Sequence, residues 1–443
     1  MTNSITLLNA VKEQKVISED DFAKMLEPMA GPFVGLSVYI DKAEENDLQT
    51  VNTMSLAANV IKISSDVEHM LDRFHARNNR KWIWFRELTA TIKNIAKAAF
   101  LLEELKQNVG AEKLLPNESD FSKKAEDITR FFINTLRVCF QELKEEGLRL
   151  NINSSNKEDL PRYRVRMRDE VILPHTIEEM DESDISGMVT RIIQRYMEVA
   201  AKISSLKNIT NLESRELVKH IPTNANESKF RQLGTDLHNL QSWYDSYVFN
   251  HLIEREFPAL KTLRQILFVQ LNLSKIATIL SHYYERHLFI PSSVTARLKK
   301  SVSSTGVLEA IFFFTLYYSI KLSEKGLEYA DSLSKSLLVP DTCELPIPRK
   351  MGFHARPATK VVKVVQHYGT EVKMLVGDQS FNAGSVLELL SAGGYIVTKG
   401  YDKVIFQGDK RTLDDLRLLA EYNYGETEDG KANQLPEALS YLG

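Results

Sequence analysis

Cysteine is nearly absent from this chain: Cys139 and Cys343 are the only two in 443 residues. That excludes a disulfide framework and fits a reducing compartment. A dominant charge is also missing, since 56 basic and 59 acidic residues leave a formal net charge of -3. No whole-protein field therefore draws the chain to nucleic acid or to an anionic membrane. Long apolar runs are lacking. The most apolar stretch, Ala310 to Ile320, is bracketed by Glu309 and Lys321. It is too short for the ~20 residues that a bilayer span needs, and it reads as a buried helix segment. Met1 to Val11 lacks the basic and then apolar pattern of a signal peptide.

The most telling scarcity is glycine. Only 8 of the 19 glycines fall in residues 1–340, whereas 11 fall in 341–443. Glycine serves turns and left-handed positions and is costly inside helices. The first three quarters should be helical and the last quarter turn-rich, with a domain boundary at the break. With 43% apolar and 26% charged residues, the chain has the composition of a globular protein of two or three domains.

Helical periodicity runs through residues 1–340. Leu88, Ile92, Ile95, Ala99 and Leu102 form one apolar stripe. Ile128, Phe132, Leu136, Cys139 and Leu143 form a second, and Ile266, Val269, Leu273, Ile276 and Leu280 a third. Steps of three and four place each set on one face of an amphipathic helix. Further helices are expected over roughly 47–75, 185–207, 229–252 and 305–337. Their length favours one or two antiparallel bundles. Residues 150–182 break the pattern. There Arg162, Arg164, Arg166 and Arg168 alternate with Tyr163, Val165 and Met167, as on a strand. The preferred reading is a solvated strand, or one paired with the acidic run Glu178, Glu179, Asp181, Glu182 and Asp184. An anion-, nucleotide- or nucleic-acid-binding strand is the minor alternative.

The last quarter reads as a small α+β domain. Pro340, Pro346 and Pro348 punctuate the junction. A helix is expected at 357–368, a strand at 371–376, a turn at 377–378 and a short helix at 385–391. Strands follow near 395–398 and 403–407, and a final helix at 411–423. Gly369 should end the first helix, and Gly393 with Gly394 the second.

Within this domain the run Gly352-Phe353-His354-Ala355-Arg356-Pro357 carries chemistry. Proline fits the first turn of a helix, which places His354 and Arg356 at the helix N-terminus. Backbone amides and the positive dipole end favour a phosphoryl group there, with Ala355 and Pro357 as parts of the cradle. A neutral imidazole nitrogen is a competent nucleophile, and histidine's ordinary pKa, about 6.5, leaves much of it neutral near pH 7. Arg356 would neutralise the transferring charge.

This segment resembles the active-site signature of HPr, the histidine phosphocarrier family of the sugar phosphotransferase system. Family members carry a serine 31 residues after the active histidine, at the start of a short helix. Here that position is Ser385, opening Ser385-Val386-Leu387-Glu388-Leu389-Leu390. Phe381-Asn382-Ala383 also fits the run into that helix, and the similarity covers about 342–427. The resemblance implies an open-faced β-sandwich of four antiparallel strands with three helices on one side. It implies that His354 takes phosphate from Enzyme I and passes it to a downstream protein. It makes Ser385 a candidate for regulatory phosphorylation, beside its plain reading as a helix N-cap. Val386, Leu387 and Leu390 would form the apolar docking patch. Three departures stand out. Gly384 replaces a frequent lysine or arginine, and Glu388 replaces a small or apolar residue, so the docking face is less basic. The stretch from Ser385 to Gly408 is also about two residues longer than the family pattern.

Other candidates carry less. His282 and His287 are five apart, not the four that a zinc-protease helix needs. Asp66 and His69 resemble half of a di-iron ligand set without its counterparts. His75-Ala76-Arg77 leads into Asn78 and reads as a chance match in a helical run. Trp82, Trp84 and Trp243 read as core or interface residues. No metal and no cofactor are expected.

The expectation is therefore a large all-α region over 1–340, an HPr-like domain over 341–427 and a C-terminal tail over 428–443. The function expected is that of a cytoplasmic phosphocarrier or phosphorylation-dependent regulator, a phosphoryl carrier rather than a turnover enzyme. Its partners would be an Enzyme I-like donor and a phosphoacceptor or regulated protein, with no membrane span and no nucleic acid. The alternative is an interaction scaffold that uses the HPr-like domain only for docking.

Overall fold

The computed structural model describes residues 16–41, 53–108, 114–115, 118–155, 182–219, 221, 225–349, 352–427 and 431–442. The arginine-rich segment 162–168 lies outside the described residues. Two compact units are present. One comprises Met1–Pro174, Lys202–His238 and Gln265–Lys325, the other His175–Ala201, Asn239–Arg264 and Gly326–Gly443.

The first unit is helical. Its longest helices include Thr53–Arg73, Ile83–Asn108 and Glu118–Arg149. The Leu88 and Ile266 stripes are buried throughout. In the second stripe Phe132, Leu136, Cys139 and Leu143 are buried, and Ile128 sits at its half-exposed edge. The Ala310–Leu316 segment is π-helical and runs into the helix Tyr317–Leu337. By length and composition the Ser304–Leu337 run could cross a membrane, but 67% of its most apolar window is buried within the protein. It behaves as a core helix.

One group of buried charges inside this unit is paired. Arg86 donates Nε and Nη2 to the Asp72 carboxylate (2.8 and 3.0 Å) and Nη1 to Glu87 (3.0 Å). Glu87 Oε2 lies 2.5 Å from His287 Nδ1, in the π-helical turn Tyr284–Phe289. The network thereby ties two neighbouring helices to a segment 200 residues further along the chain. His282 bonds a different carboxylate, Glu227, at 2.9 Å. Asp66 and His69 face solvent. The His75 triplet lies in a turn, not in a helical run. Helix Thr53–Arg73 has ended, and His75 takes a left-handed conformation (φ 56°) before a 3₁₀ turn. Trp82 and Trp84 are buried, whereas Trp243 is partly exposed.

In the second unit, residues 340–425 form a four-stranded sheet with three principal helices. Strands β1 (Pro340–Pro346), β2 (Lys373–Val376), β3 (Gln379–Asn382) and β4 (Lys403–Asp409) lie in the order β1-β4-β2-β3, all antiparallel. Phe406 pairs with Cys343 on one side and Met374 on the other, giving one buried row across the sheet. Thr342, Glu344, Lys403 and Gln407 alternate onto the exposed face. Helices α1 (Ala355–Tyr368), α2 (Val386–Lys399) and α3 (Lys410–Glu421) supply Val361, Val365, Leu389, Ile396, Leu413 and Leu416 to the core of this domain.

Three expectations need correction. Residues 395–398 are not a strand, and the helix expected at 385–391 continues to Lys399. Gly393 and Gly394 do not end it. The left-handed Gly400 (φ 73°) does. Strands β1 and β3 went unread because neither shows an apolar run: β1 is exposed at Pro340, Thr342, Glu344 and Pro346, and β3 at Gln379, Ser380 and Asn382.

The helix Glu182–Ser204 contributes to the same unit. Arg411 Nη1 donates to Ser186 Oγ at 2.5 Å, and Arg191 Nε donates to the His367 carbonyl at 3.0 Å. Gln194 packs against Gly369, which ends α1 in a left-handed conformation (φ 66°) as the glycine pattern predicts.

Burial pushes the Glu87 carboxyl up, but the hydrogen bonds and charges of His287 and Arg86 outweigh it and hold it below its ordinary value. The stability this contributes is complete above the ordinary glutamate value of 4.5 and is lost as pH falls through the lowered one. Glu87→Gln should cost about 3–5 kcal/mol at pH 7, because it removes the buried carboxylate charge that faces Arg86 and His287. Urea denaturation at pH 7 and in acid should show the gap to wild type narrowing as pH falls.

Candidate functional site

The site is built on a turn that leads from β1 into α1. Gly352 takes a left-handed conformation (φ 60°), which reverses the chain without Cβ strain. Phe353 then turns inward and is buried, edge-on to Phe406 and Tyr424 with centroids 6.3 and 5.2 Å away. His354 follows as the N-cap residue of α1, in extended conformation. Its side chain makes no capping hydrogen bond, so the imidazole is not spent on the helix. Ala355, Arg356 and Pro357 are the first three helical residues, and Pro357 is buried. The first turn of any helix leaves amides without an intrahelical acceptor and carries the positive dipole end.

One residue here went unread in the sequence. Glu426, whose side chain is 0% exposed, joins His354 and Arg356. Its Oε2 lies 3.1 Å from His354 Nε2, and its Oε1 accepts from Arg356 Nη1 at 2.9 Å. His354 itself is 32% exposed and Arg356 44%. The histidine and arginine are thus open to solvent on one side and held by a buried carboxylate on the other. Glu426 follows a sharp turn in which Asn423, Tyr424 and Gly425 all have positive φ. Tyr424 Oη donates to the Pro346 carbonyl (2.8 Å), and Asn423 Oδ1 accepts from the Arg349 amide (2.9 Å). No motif announces a carboxylate 72 residues from its partner, and only the closed fold brings it there. Lys360 and Lys363 extend the cationic side of α1. The Lys360 ammonium is held below its ordinary value by partial burial first and then by Lys363 and Arg356.

Ser385 is the N-cap of α2, and its Oγ accepts from the Glu388 amide at 3.3 Å. The Glu388 carboxylate turns back to accept from the Asn382 amide at 2.6 Å. A negative charge therefore already stands at this helix N-terminus, where the dipole favours it. Leu387 is 77% exposed and Leu390 is also exposed, whereas Val386 is half-buried against the core. Val397, 68% exposed, belongs to the same stripe, seven residues beyond Leu390, and lies 4.0 Å from the Cβ position of Gly352. Helical spacing shows it once α2 is known to run past 391.

Residues 342–398 match the family model of the PTS HPr component phosphorylation site. The match begins in β1 and ends within α2, so it includes His354, Arg356 and Ser385 and stops before Glu426. The match falls on the antiparallel sheet and its helices. The C-terminal domain of this chain is an HPr-family domain. Searches of curated proteins and of solved structures gave no match.

The turn and α2 are pressed together. A Cβ on Gly393 would meet the Phe353 carbonyl oxygen at 2.6 Å, whereas one on Gly394 would meet nothing within 4 Å. Gly393 is thus kept for close approach, not for ending a helix. Gly393→Ala should destabilise the protein by about 1–3 kcal/mol through overpacking against backbone. Gly394→Ala should be neutral or stabilising by up to ~1 kcal/mol, as alanine is in helix interiors. Thermal or urea unfolding of the pair separates the two effects.

Proposed function

We propose that this protein is an HPr-like phosphocarrier or phosphorylation-dependent regulator that works in the cytoplasm. His354 accepts a phosphoryl group from an Enzyme I-type donor and passes it to, or signals through, a partner protein. The observation that carries this reading is the placement of His354. It is a partly exposed imidazole at a helix N-terminus, uncapped, with Arg356 on the same carboxylate. In the transfer, an imidazole lone pair of His354 attacks phosphorus and the bond from phosphorus to the donor breaks, returning its electron pair to the donor. The helix N-terminus and Arg356 offset the charge of the phosphoryl oxygens. Leu387, Leu390 and Val397 offer an apolar surface beside the site for a partner. The helical region is then the sensor of that state or a partner surface.

Ser385 is the candidate for a regulatory phosphate. A phosphoserine would bring up to about two negative charges next to Glu388 and the exposed leucines. The same Glu388 favours a second reading, in which the domain docks without transferring phosphate, because its charge already stands on the docking helix.

Incubation with phosphoenolpyruvate, Enzyme I and magnesium should give an acid-labile, alkali-stable phosphate, lost in His354→Ala. Equal labelling of that variant overturns the assignment, and no labelling of the wild type favours the docking reading.

A further inference from the structure

Between Arg286 and Leu308 the chain carries no aspartate or glutamate, but it carries Arg286, Arg297, Lys299 and Lys300. In a protein of formal net charge -3 this is a local reversal of sign. Arg297 is engaged, 4.0 Å over the Trp84 ring and 3.7 Å from Glu142. Arg286, Lys299 and Lys300 are exposed, and no carboxylate among the described residues pairs with them. Glu285, just before the stretch, accepts from the Glu227 amide at 2.7 Å. The same stretch exposes three apolar residues in succession. Phe289 is 40% exposed, Ile290 61%, and Pro291 is exposed after them. They join the π-helical turn Tyr284–Phe289 to the helix Ser293–Ser301.

This connection is tied down on both sides. His287 and Leu288 are buried before it, His287 on Glu87. After it, Thr295 Oγ1 donates to the Ile290 carbonyl at 2.8 Å. Ser292 Oγ accepts from the Thr295 amide at 3.0 Å and donates to Thr295 Oγ1 at 2.9 Å. Pro291 has no amide to satisfy. Ile290 is therefore held outward by a turn whose own carbonyl and helix cap are already bonded. Such a turn tolerates a low-dielectric surrounding, where an unbonded peptide group is strongly unfavourable. Lys299 and Lys300 stand about 10 Å along the helix from Ser293, at 1.5 Å per residue. That is about one Debye length at 0.1 M salt, so a surface that receives Ile290 feels their charge.

We propose that this connection is an anchor for an anionic lipid surface. Phe289 and Ile290 enter the boundary between headgroups and acyl chains, and Arg286, Lys299 and Lys300 attract the anionic headgroups. A projecting apolar turn suits a lipid surface better than a peptide, which needs a groove or a sheet edge to lie in. The protein rests on the bilayer and does not cross it. The inference is independent of the reading of His354.

Full-length protein is sedimented with vesicles of phosphatidylcholine alone or of phosphatidylcholine mixed equally with phosphatidylglycerol. The wild type should pellet with the anionic vesicles and not with the neutral ones, and added salt should release it. Replacing Lys299 and Lys300 together by glutamine should weaken partitioning about 25-fold, at about fivefold per charge. Ile290→Asp should weaken it about tenfold, whereas Ile290→Leu should leave it unchanged. All three positions are exposed, so thermal unfolding of each variant should match the wild type. Failure of the wild type to bind anionic vesicles overturns the proposal, as does equal binding to neutral ones. Unchanged binding after loss of the two lysines or of Ile290 overturns it as well. Retention of polyglutamate with none on vesicles overturns it in favour of an acidic protein partner.

Discussion

A buried carboxylate must have its charge answered, and in the C-terminal domain this requirement organises the site. Glu426 is shielded completely, and two of its partners are His354 and Arg356. To bring it there the chain turns through three consecutive residues with positive φ, two of them not glycine. Such conformations are costly for asparagine and tyrosine and persist only where the surroundings over-determine them. The surroundings do so here. The Tyr424 ring packs on Phe353, and its hydroxyl reaches back to Pro346 at the end of β1. The turn at Gly352–His354, the first strand and the end of α3 are thereby locked to one another.

The helical unit uses the same physics for a different purpose. Arg86, Asp72, Glu87 and His287 form a network of which Arg86, Glu87 and His287 are largely shielded from water. Its histidine is bonded to a carboxylate, as His354 is, but it is 4% exposed on a stacked tyrosine and closed to any partner. His354, at 32%, keeps a face open beside an exposed apolar stripe. Exposure, rather than the presence of a histidine–carboxylate pair, is what distinguishes the two.

Much of this was legible in the residues. The apolar stripes at steps of three and four marked the long helices, because a helix can bury only one face. His354, Arg356 and Pro357, with Ser385 31 residues after the histidine, identified the family of the C-terminal domain. Other features were not legible. A glycine pair looked like a helix stop, since composition cannot distinguish glycine needed for close approach from glycine needed for a left-handed turn. Gly393 faces the Phe353 carbonyl, and Gly400 makes the actual turn. Strands β1 and β3 are edge strands whose exposed positions are polar or proline, so alternation was too weak to read. Val397 was hidden by the same error that shortened α2.

What the amino-acid order determined by itself was local. It set which segments are helical, where the turn into α1 begins and which side chains stand at the first turn of α1. These follow from propensity, periodicity and capping, which act over a few residues. Tertiary structure decided what lies opposite those side chains. A carboxylate 72 residues away became the partner of His354 only when the sheet closed and the last segment folded back over α1. Such a contact has no sequence period and no fixed spacing. It exists because burying a charge requires a partner, and the fold alone determines which one is within reach.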